Sequence, residues 1–244
     1  MPAGGGASLP GINNKEDGSM SVGNRIVKRQ RCVDKETVAA FAKLPVANVS
    51  DAMARVFAGG PNLRPMHRDG VLAGPALTVR SRPGDNLMLH KAIDMAVPGD
   101  VIVCDAGGDL TNALMGELML AHAIKRGVAG FVLYGAIRDV DAFRETNLPT
   151  YAAGITHRGP YKNGPGEINT PISLNGMVIE PGDLVLGDSD GVLSVPYAML
   201  AEILAATQAK QSAEDQQMAA IHAGTTDRSW VDRALEAAGC QMQK

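Results

Sequence analysis

The sequence predicts one α/β domain over residues 22–196 with helical arms at both ends, and three observations carry that prediction. Helix and strand patterns alternate through the first two thirds of the chain, the order expected of helices packed on a sheet. The apolar content is aliphatic: 45% of the 244 residues are hydrophobic but only 4% aromatic, with a single tryptophan. Glycine (28) and proline (14) together supply 42 residues, above the roughly 12% of average usage and short of a disordered composition. A chain of this length buries a sizeable core.

The elements follow in order. Asp34 caps a helix over residues 34–44 that Pro45 ends, and Ser50-Asp51 caps a short helix from Ala52 to Phe57. Residues 70–82 alternate small, apolar and polar side chains, as in Leu77-Thr78-Val79-Arg80, and predict a strand. The turn Pro83-Gly84-Asp85 leads into a helix from Asn86 to Ala96, and Pro98-Gly99-Asp100 turns into the strand Val101–Cys104. A glycine-bearing loop follows, then a helix over 116–126 stopped by Gly127, then a strand from Gly130 to Tyr134. Strands near 149–153, 177–179, 184–187 and 192–195 complete the domain. Pro98-Gly99-Asp100 with its strand is echoed by Pro181-Gly182-Asp183, a reuse of one turn-strand unit in which proline presets one turn angle and glycine supplies the positive one. From residue 197 to 244 the chain reads as a helical arm: a long Ala-rich helix begun by Pro196 and reaching about Ala223, then a last helix capped by Ser229. Such a helix has little to pack against inside a compact domain, so the arm is expected to dock on a neighbouring subunit.

Several classes are excluded. Few aromatics and a formal net charge of −3 argue against base stacking and against a phosphate-binding field, so no nucleic-acid partner is expected. Cys32, Cys104 and Cys240 are odd in number and far apart, which fits neither a disulfide framework nor a thiolate zinc site. Cys104, inside Val101-Ile102-Val103, reads as a buried inert thiol. No apolar run approaches the ~18 residues of a membrane span. Residues 1–21 lack the apolar stretch of a signal peptide and read as a disordered leader or extension, with Met20 an alternative start. A cytoplasmic protein is expected.

Chemistry concentrates in Leu114-Met115-Gly116-Glu117-Leu118-Met119 and in Tyr134-Gly135-Ala136-Ile137-Arg138-Asp139. Gly116 opens a helix, so the amides of Gly116, Glu117, Leu118 and Met119 lack intrahelical acceptors and form a receptor for an anion. A right-handed crossover returns the chain in parallel, bringing Arg138 and Asp139 to the same sheet edge, where ligands of α/β sheets bind. Two hard carboxylates with open positions suit Mg²⁺, and the guanidinium suits a carboxylate or a developing oxyanion. Together these groups fit a 2-oxo acid; taken alone, they are also compatible with an ordinary surface pair. The histidines His67, His90, His122, His157 and His222 show no zinc spacing and are expected to have no metal role.

Glu117, twenty intervening residues and then Arg138-Asp139 resemble the RraA-like family, which includes class II 4-hydroxy-4-methyl-2-oxoglutarate / 4-carboxy-4-hydroxy-2-oxoadipate aldolases. The resemblance runs from about Val49 to Pro196 and includes Val49-Ser50-Asp51-Ala52, Gly74-Pro75-Ala76-Leu77-Thr78 and Asp188-Ser189-Asp190-Gly191. It implies a swivelling β/β/α fold and a trimer or a dimer of trimers. It implies Asp139 as direct ligand of Mg²⁺ (or Mn²⁺, Co²⁺), with Arg138 binding substrate and stabilising a pyruvate enolate. The substrate carboxylate would lie on the amides from Gly116 to Met119. Glu117 stands where family members carry an acid, most often aspartate, acting through metal-bound water. Lys162 falls near a family lysine facing the distal carboxylate, and Glu214 corresponds to an acid delivered from a neighbouring subunit. An acid that many members carry three residues after the aspartate is Ala142 here, with Asp141 one step short. The implied activity is metal-dependent retro-aldol cleavage releasing pyruvate, with oxaloacetate decarboxylation as a side activity. The alternative within the same family is a non-catalytic regulator that binds ribonuclease E.

Overall fold

A computed structural model describes residues 22–241, so the expectations for residues 1–21 lie outside the described part. Four parallel strands form the centre: β3 (Leu72–Ser81), β4 (Val101–Asp105), β6 (Gly130–Ile137) and β7 (Thr150–Ile155), paired in that order. β3 is ten residues long and shares one edge between two antiparallel neighbours. Its first half pairs with β11 (Leu184–Asp188), which forms a hairpin with β12 (Gly191–Val195), and its second half pairs with β8 (Gly166–Ile168). β1 (Asn24–Ile26) runs parallel to β8, β2 (Arg64–Pro65) closes the far edge antiparallel to β7, and β5 (Ala113–Met115) extends β6. A separate hairpin joins β9 (Ile172–Leu174) and β10 (Met177–Ile179). The protein is thus a mixed α/β fold built on one large mixed sheet.

The sheet is buried on both faces, which is why its central strands read as near-continuous aliphatic runs. Period-2 alternation sorts them: Val101 and Val103 of β4 enter one core with Val132, Tyr151, Leu184 and Leu186, while Ile102 and Cys104 enter the other with Phe131, Leu133 and Leu89. Cys104 is fully buried and desolvation pushes its thiol well up, as an inert thiol should be. Each fully buried Leu, Ile or Phe contributes about 1.5–3 kcal/mol to this arrangement. The second core is covered by α3 (Leu87–Met95), α4 (Glu117–Lys125) and α5 (Val140–Thr146); the first by α1 (Lys35–Phe41), α2 (Val46–Ala52) and the start of α6 (Leu200–Ala223).

The N-terminal helices pack onto the sheet instead of standing off it as an arm. Asp34 caps α1 as expected, accepting the Thr37 amide at 2.7 Å. The next helix differs from expectation: Pro45 begins α2 instead of only ending α1, and Ser50 and Asp51 lie in its last turn, so residues 53–57 are not helical. Proline's fixed φ suits a helix start, and the Val46 amide is satisfied from outside, by Asp188 Oδ2 at 3.0 Å. That long-range cap leaves no local signal.

The two Pro-Gly-Asp units share one geometry. Gly99 and Gly182 take φ of +98° and +87°, and Asp100 and Asp183 accept the amides of Val97 and Glu180 three residues back, at 3.0 and 2.9 Å. Arg29 and Arg31 then pair with Asp100 and Asp183, tying the chain after β1 across both turns.

A 3₁₀ turn, Tyr197–Met199, precedes α6. Leu200, Ile203 and Thr207 are buried, Lys210 reaches Asp51 at 3.1 Å, and Asn48 donates to Gln211 and Glu214 at 2.9 and 2.7 Å. The front half of the helix therefore finds its packing partner, α2, within the domain. Beyond Glu214 no residue of α6, nor of α7 (Ser229–Ala237), is buried, and Met218, Ile221, Trp230 and Leu235 are exposed. Ser229 is the first residue of α7; its amide is capped by Asp227 at 2.8 Å. Among the described residues no helix is long and apolar enough to cross a membrane.

Candidate active site

The crossover from β5 through α4 to β6 places the predicted groups together. β5 and β6 run parallel, and Arg138 N–H donates to the Met115 carbonyl at 3.0 Å, so the carboxyl end of β6 lies against the residue preceding Gly116. Gly116 is the N-cap of α4, with extended backbone. Its requirement for glycine is spatial: a Cβ there would stand 3.0 Å from Arg138 Nε and closer still to Asp139 Oδ2. Asp139 Oδ2 accepts the Glu117 amide at 3.0 Å and lies 3.6 Å from Arg138 Nε. Asp139 itself occupies the left-handed region at φ +56°, as N-cap of α5, a conformation that Asp tolerates better than most side chains. A strained backbone at a carboxylate facing a helix N-terminus is the kind of feature that clusters at functional sites.

These groups line a cavity of about 180 Å³. Its wall is formed by Gly116 with Leu118 and Met119 of α4, by Arg138 and Asp139 after β6, by the N-cap Asn86 and His90 of α3, and by Pro160 and Lys162 on the loop after β7. The first-turn amides of Leu118 and Met119 have no acceptor inside the helix, and the positive end of the dipole lies behind them. Glu117 has its amide engaged by Asp139, but its side chain is exposed and is not among those that line the cavity.

Lys162 reaches the cavity because its loop is fixed on both sides. Asp85, fully buried, accepts the amides of Asn163 and Gly164 at 2.7 and 2.9 Å and that of Leu87 at 3.0 Å. Tyr161 N–H donates to Gly84 at 2.8 Å and its carbonyl accepts from Asn86 N–H at 3.0 Å. The signal available in the sequence was the turn Pro83-Gly84-Asp85, whose carboxylate spans 78 residues to hold this loop.

His90, one turn after Asn86, is absent from the expected site residues yet lines the cavity. Burial, and then the charge of Lys162, hold its imidazole below the ordinary value, with Asp94 opposing and His122 adding to the effect. Glu214 is not part of this cavity: within the chain it pairs with Lys210 at 2.7 Å and accepts from Asn48, contacts that hold its carboxyl below the usual range. Asp141 pairs with Arg144 at 3.3 Å on the surface of α5.

The donor set decides which metal the residues fit. Among the described residues no three His, Cys, Asp or Glu side chains converge, so a protein-enclosed zinc site is not built here. Asp139 is a hard carboxylate with 44% of its side chain exposed, and the neighbouring Glu117 carries a second, exposed carboxylate. One or two carboxylates open to water is the donor set that suits Mg²⁺ or Mn²⁺.

Comparison with known proteins identifies the family. Residues 46–194 match the family model described as RraA-like, Aldolase/RraA. A Halalkalibacterium halodurans protein named "Putative 4-hydroxy-4-methyl-2-oxoglutarate aldolase" is 40% identical over 181 residues, which cover 74% of this chain and 86% of that protein. The structure of the RNA-processing inhibitor RraA from Thermus thermophilis superposes with a TM-score of 0.58 at 30% identity, covering 62% of this chain and 92% of that one. An uncharacterized protein from Pseudomonas syringae superposes with a TM-score of 0.72 at 25% identity, covering 80% and 96%. The chain belongs to the RraA-like family.

Proposed function

We propose that this protein is a divalent-metal-dependent lyase that cleaves 4-hydroxy-2-oxo diacids, such as 4-hydroxy-4-methyl-2-oxoglutarate or 4-carboxy-4-hydroxy-2-oxoadipate, to pyruvate and a second keto acid. The observation that carries the reading is the convergence of the open amides of α4, Arg138, Asp139 and Lys162 on one cavity. The amides of Leu118 and Met119 bind the C1 carboxylate, and Lys162, across the cavity, binds the distal one. Asp139 is the residue that holds the cation, with Glu117 beside it. A divalent ion at this position supplies Lewis-acid polarisation of the 2-keto group.

Bond by bond, the C4 hydroxyl loses its proton and C4–O becomes a carbonyl as the C3–C4 bond breaks. The electron pair of that bond passes to C3–C2, leaving an enolate that takes a proton at C3 to give pyruvate. Arg138 donates to the oxygen on which charge develops, a contact stronger in the transition state than in the ground state. Glu117, exposed between the lining residues Gly116 and Leu118, relays protons between cavity and solvent. Oxaloacetate loses carbon dioxide through the same enolate, so its decarboxylation accompanies the main activity. Glu214 enters the site only from another copy, in a trimer or a dimer of trimers.

The similarity to the Thermus RNA-processing inhibitor favours a second reading, a non-catalytic regulator of ribonuclease E. A lactate-dehydrogenase-coupled assay separates the two. Mg²⁺ or Mn²⁺ with a panel of 2-oxo diacids should release pyruvate, EDTA should stop it, and Asp139→Ala should remove the metal stimulation. No metal-dependent pyruvate from any member of the panel would leave the regulator reading standing.

A further inference from the structure

His90 stands in the wall between two cavities. It lines the candidate active site, and it also lines a neighbouring cavity of about 300 Å³ with Ile93, Asp94, Leu118, Met119 and His122. The residue is half-buried, and among the described residues no hydrogen bond holds either ring nitrogen. Neither nitrogen is among the buried polar atoms left without a partner, so both keep accessible surface. Burial opposes the charge of the ring most, and Lys162 next; Asp94, one turn on, favours it, and His122 of α4 opposes it. His122 is itself turned to Asp94, at 3.2 Å. Of these three charged groups Lys162 alone shares the active-site cavity with the ring, where Arg138 and Asp139 form the wall after β6.

An ammonium and a free imidazole that oppose each other's charge in one cavity are complementary to an anion. The anion offsets the charge of Lys162 and accepts a hydrogen bond from the ring, which is stronger when the ring is an imidazolium. A 2-oxo diacid with its C1 carboxylate on the α4 amides has a second carboxylate to place. We infer that His90 and Lys162 together receive this distal carboxylate and that His90 takes up a proton as it binds, so that the site holds dicarboxylates more tightly as pH falls. The inference rests on the diacid substrates proposed above and names the group that couples their recognition to pH. The proton comes from solvent, bonds to a ring nitrogen and returns to solvent when the carboxylate departs; no bond of the substrate changes. In the free protein burial and Lys162 keep the ring neutral, and with the carboxylate in place the charged form is favoured. Affinity therefore climbs as pH falls through the titration of the complex and levels off below that of the free protein.

The test is calorimetric titration of the Mg²⁺-loaded protein with 2-oxoglutarate and with pyruvate, neither of which has a C4 hydroxyl to turn over. Each is run in buffers of different ionisation enthalpy, from about pH 5.5 to 7.5, where ligand carboxylates stay ionised. Only the first ligand has a distal carboxylate, so proton changes at the shared end cancel in the difference. The wild-type protein should take up about half a proton more with 2-oxoglutarate than with pyruvate near pH 6.5. In His90→Asn that excess should vanish, and affinity for 2-oxoglutarate should fall about tenfold at pH ~5.5 and less than threefold at pH ~7.5, the scale of one charge-assisted hydrogen bond. A merely structural role would weaken both ligands at every pH. No excess in the wild-type protein, or an undiminished excess in His90→Asn, overturns the inference. His122→Asn should keep the excess; its loss there assigns the proton to His122 and overturns the inference as well. Should His90→Asn fail to fold, the wild-type and His122→Asn titrations still decide. Binding of neither ligand overturns the diacid reading, and the inference with it. Binding of 2-oxoglutarate with the expected uptake, beside no pyruvate release from any hydroxylated diacid, supports the inference and sinks the lyase reading alone.

Discussion

Gly116→Ala isolates the junction on which the candidate site depends. The residue's φ of −147° is ordinary extended backbone, so alanine introduces no backbone strain. The added methyl instead meets Asp139 Oδ2, Arg138 Nε at 3.0 Å and Arg138 Cγ at 3.1 Å. Both side chains are 44% exposed and can swing outward, so the fold survives while the carboxylate leaves the Glu117 amide. A hydrogen bond to a charged group is worth about 1.5–3 kcal/mol when buried, and half-exposure brings the loss to about 1 kcal/mol. For a chain of this size that lowers Tm by about 2–4 °C. Activity suffers more, because displacing a binding group by ~1 Å costs about a hundredfold. The expected result is a kcat/KM for pyruvate release lowered about a hundredfold beside a nearly unchanged melting curve. Activity within about threefold of wild type, on a variant whose melt shows the small shift, would refute the assignment of this junction as the reacting centre.

Three further outcomes follow from the same geometry. Lys162→Met should raise KM for 2-oxo diacids about tenfold, the loss of one ion pair, and leave binding of pyruvate, which has no distal carboxylate, within about twofold; initial-rate and inhibition kinetics measure both. Gly182→Ala should destabilise the protein by about 3 kcal/mol or more, because the turn needs a positive φ and a Cβ would overlap the Arg31 carbonyl; a denaturant midpoint reads the loss. His90 titrates below its ordinary value of 6.5 because burial, then Lys162, oppose its charge. The folded state thus binds fewer protons than the unfolded one below pH 6.5, and the stability present above that value declines as pH falls through the folded value. His90→Asn should flatten that acid-side decline in a Tm–pH profile, and an unchanged slope would remove His90 from the account.

The crossover was legible because its punctuation is local. Gly116, Gly127 and the aliphatic run from Gly130 mark the ends of α4 and the start of β6, and parallel pairing then forces Arg138 and Asp139 to the helix N-terminus. The short strands β1, β2, β5 and β8 left no such mark. Each has two or three residues, too few for a usable period, and their pairing is decided by partners up to 142 residues away. The same holds for α2, whose first amide is capped by Asp188. Asn86 illustrates the limit at the site: its type and position are visible, but the bond from its Nδ2 to the Leu114 carbonyl at 2.8 Å, which fixes it on the cavity wall, is not. Lys162 was reachable by resemblance, whereas the Asp85 clamp that places its loop was not.

The sheet keeps the molecule's two apolar cores apart, and the cavity belongs to one of them. Its α3, α4 and β6 walls rest on the side that holds Leu89, Leu114 and Phe131, whereas α1, α2, α6 and the β11–β12 hairpin rest on the other. The hydrogen-bonded backbone of that ten-stranded sheet therefore acts as a partition. Within one chain, substitutions that repack the α1–α2–α6 core reach the cavity only through that partition. The two cores can therefore vary in sequence as nearly separate units, in a family whose members carry the names of both an aldolase and an RNA-processing inhibitor.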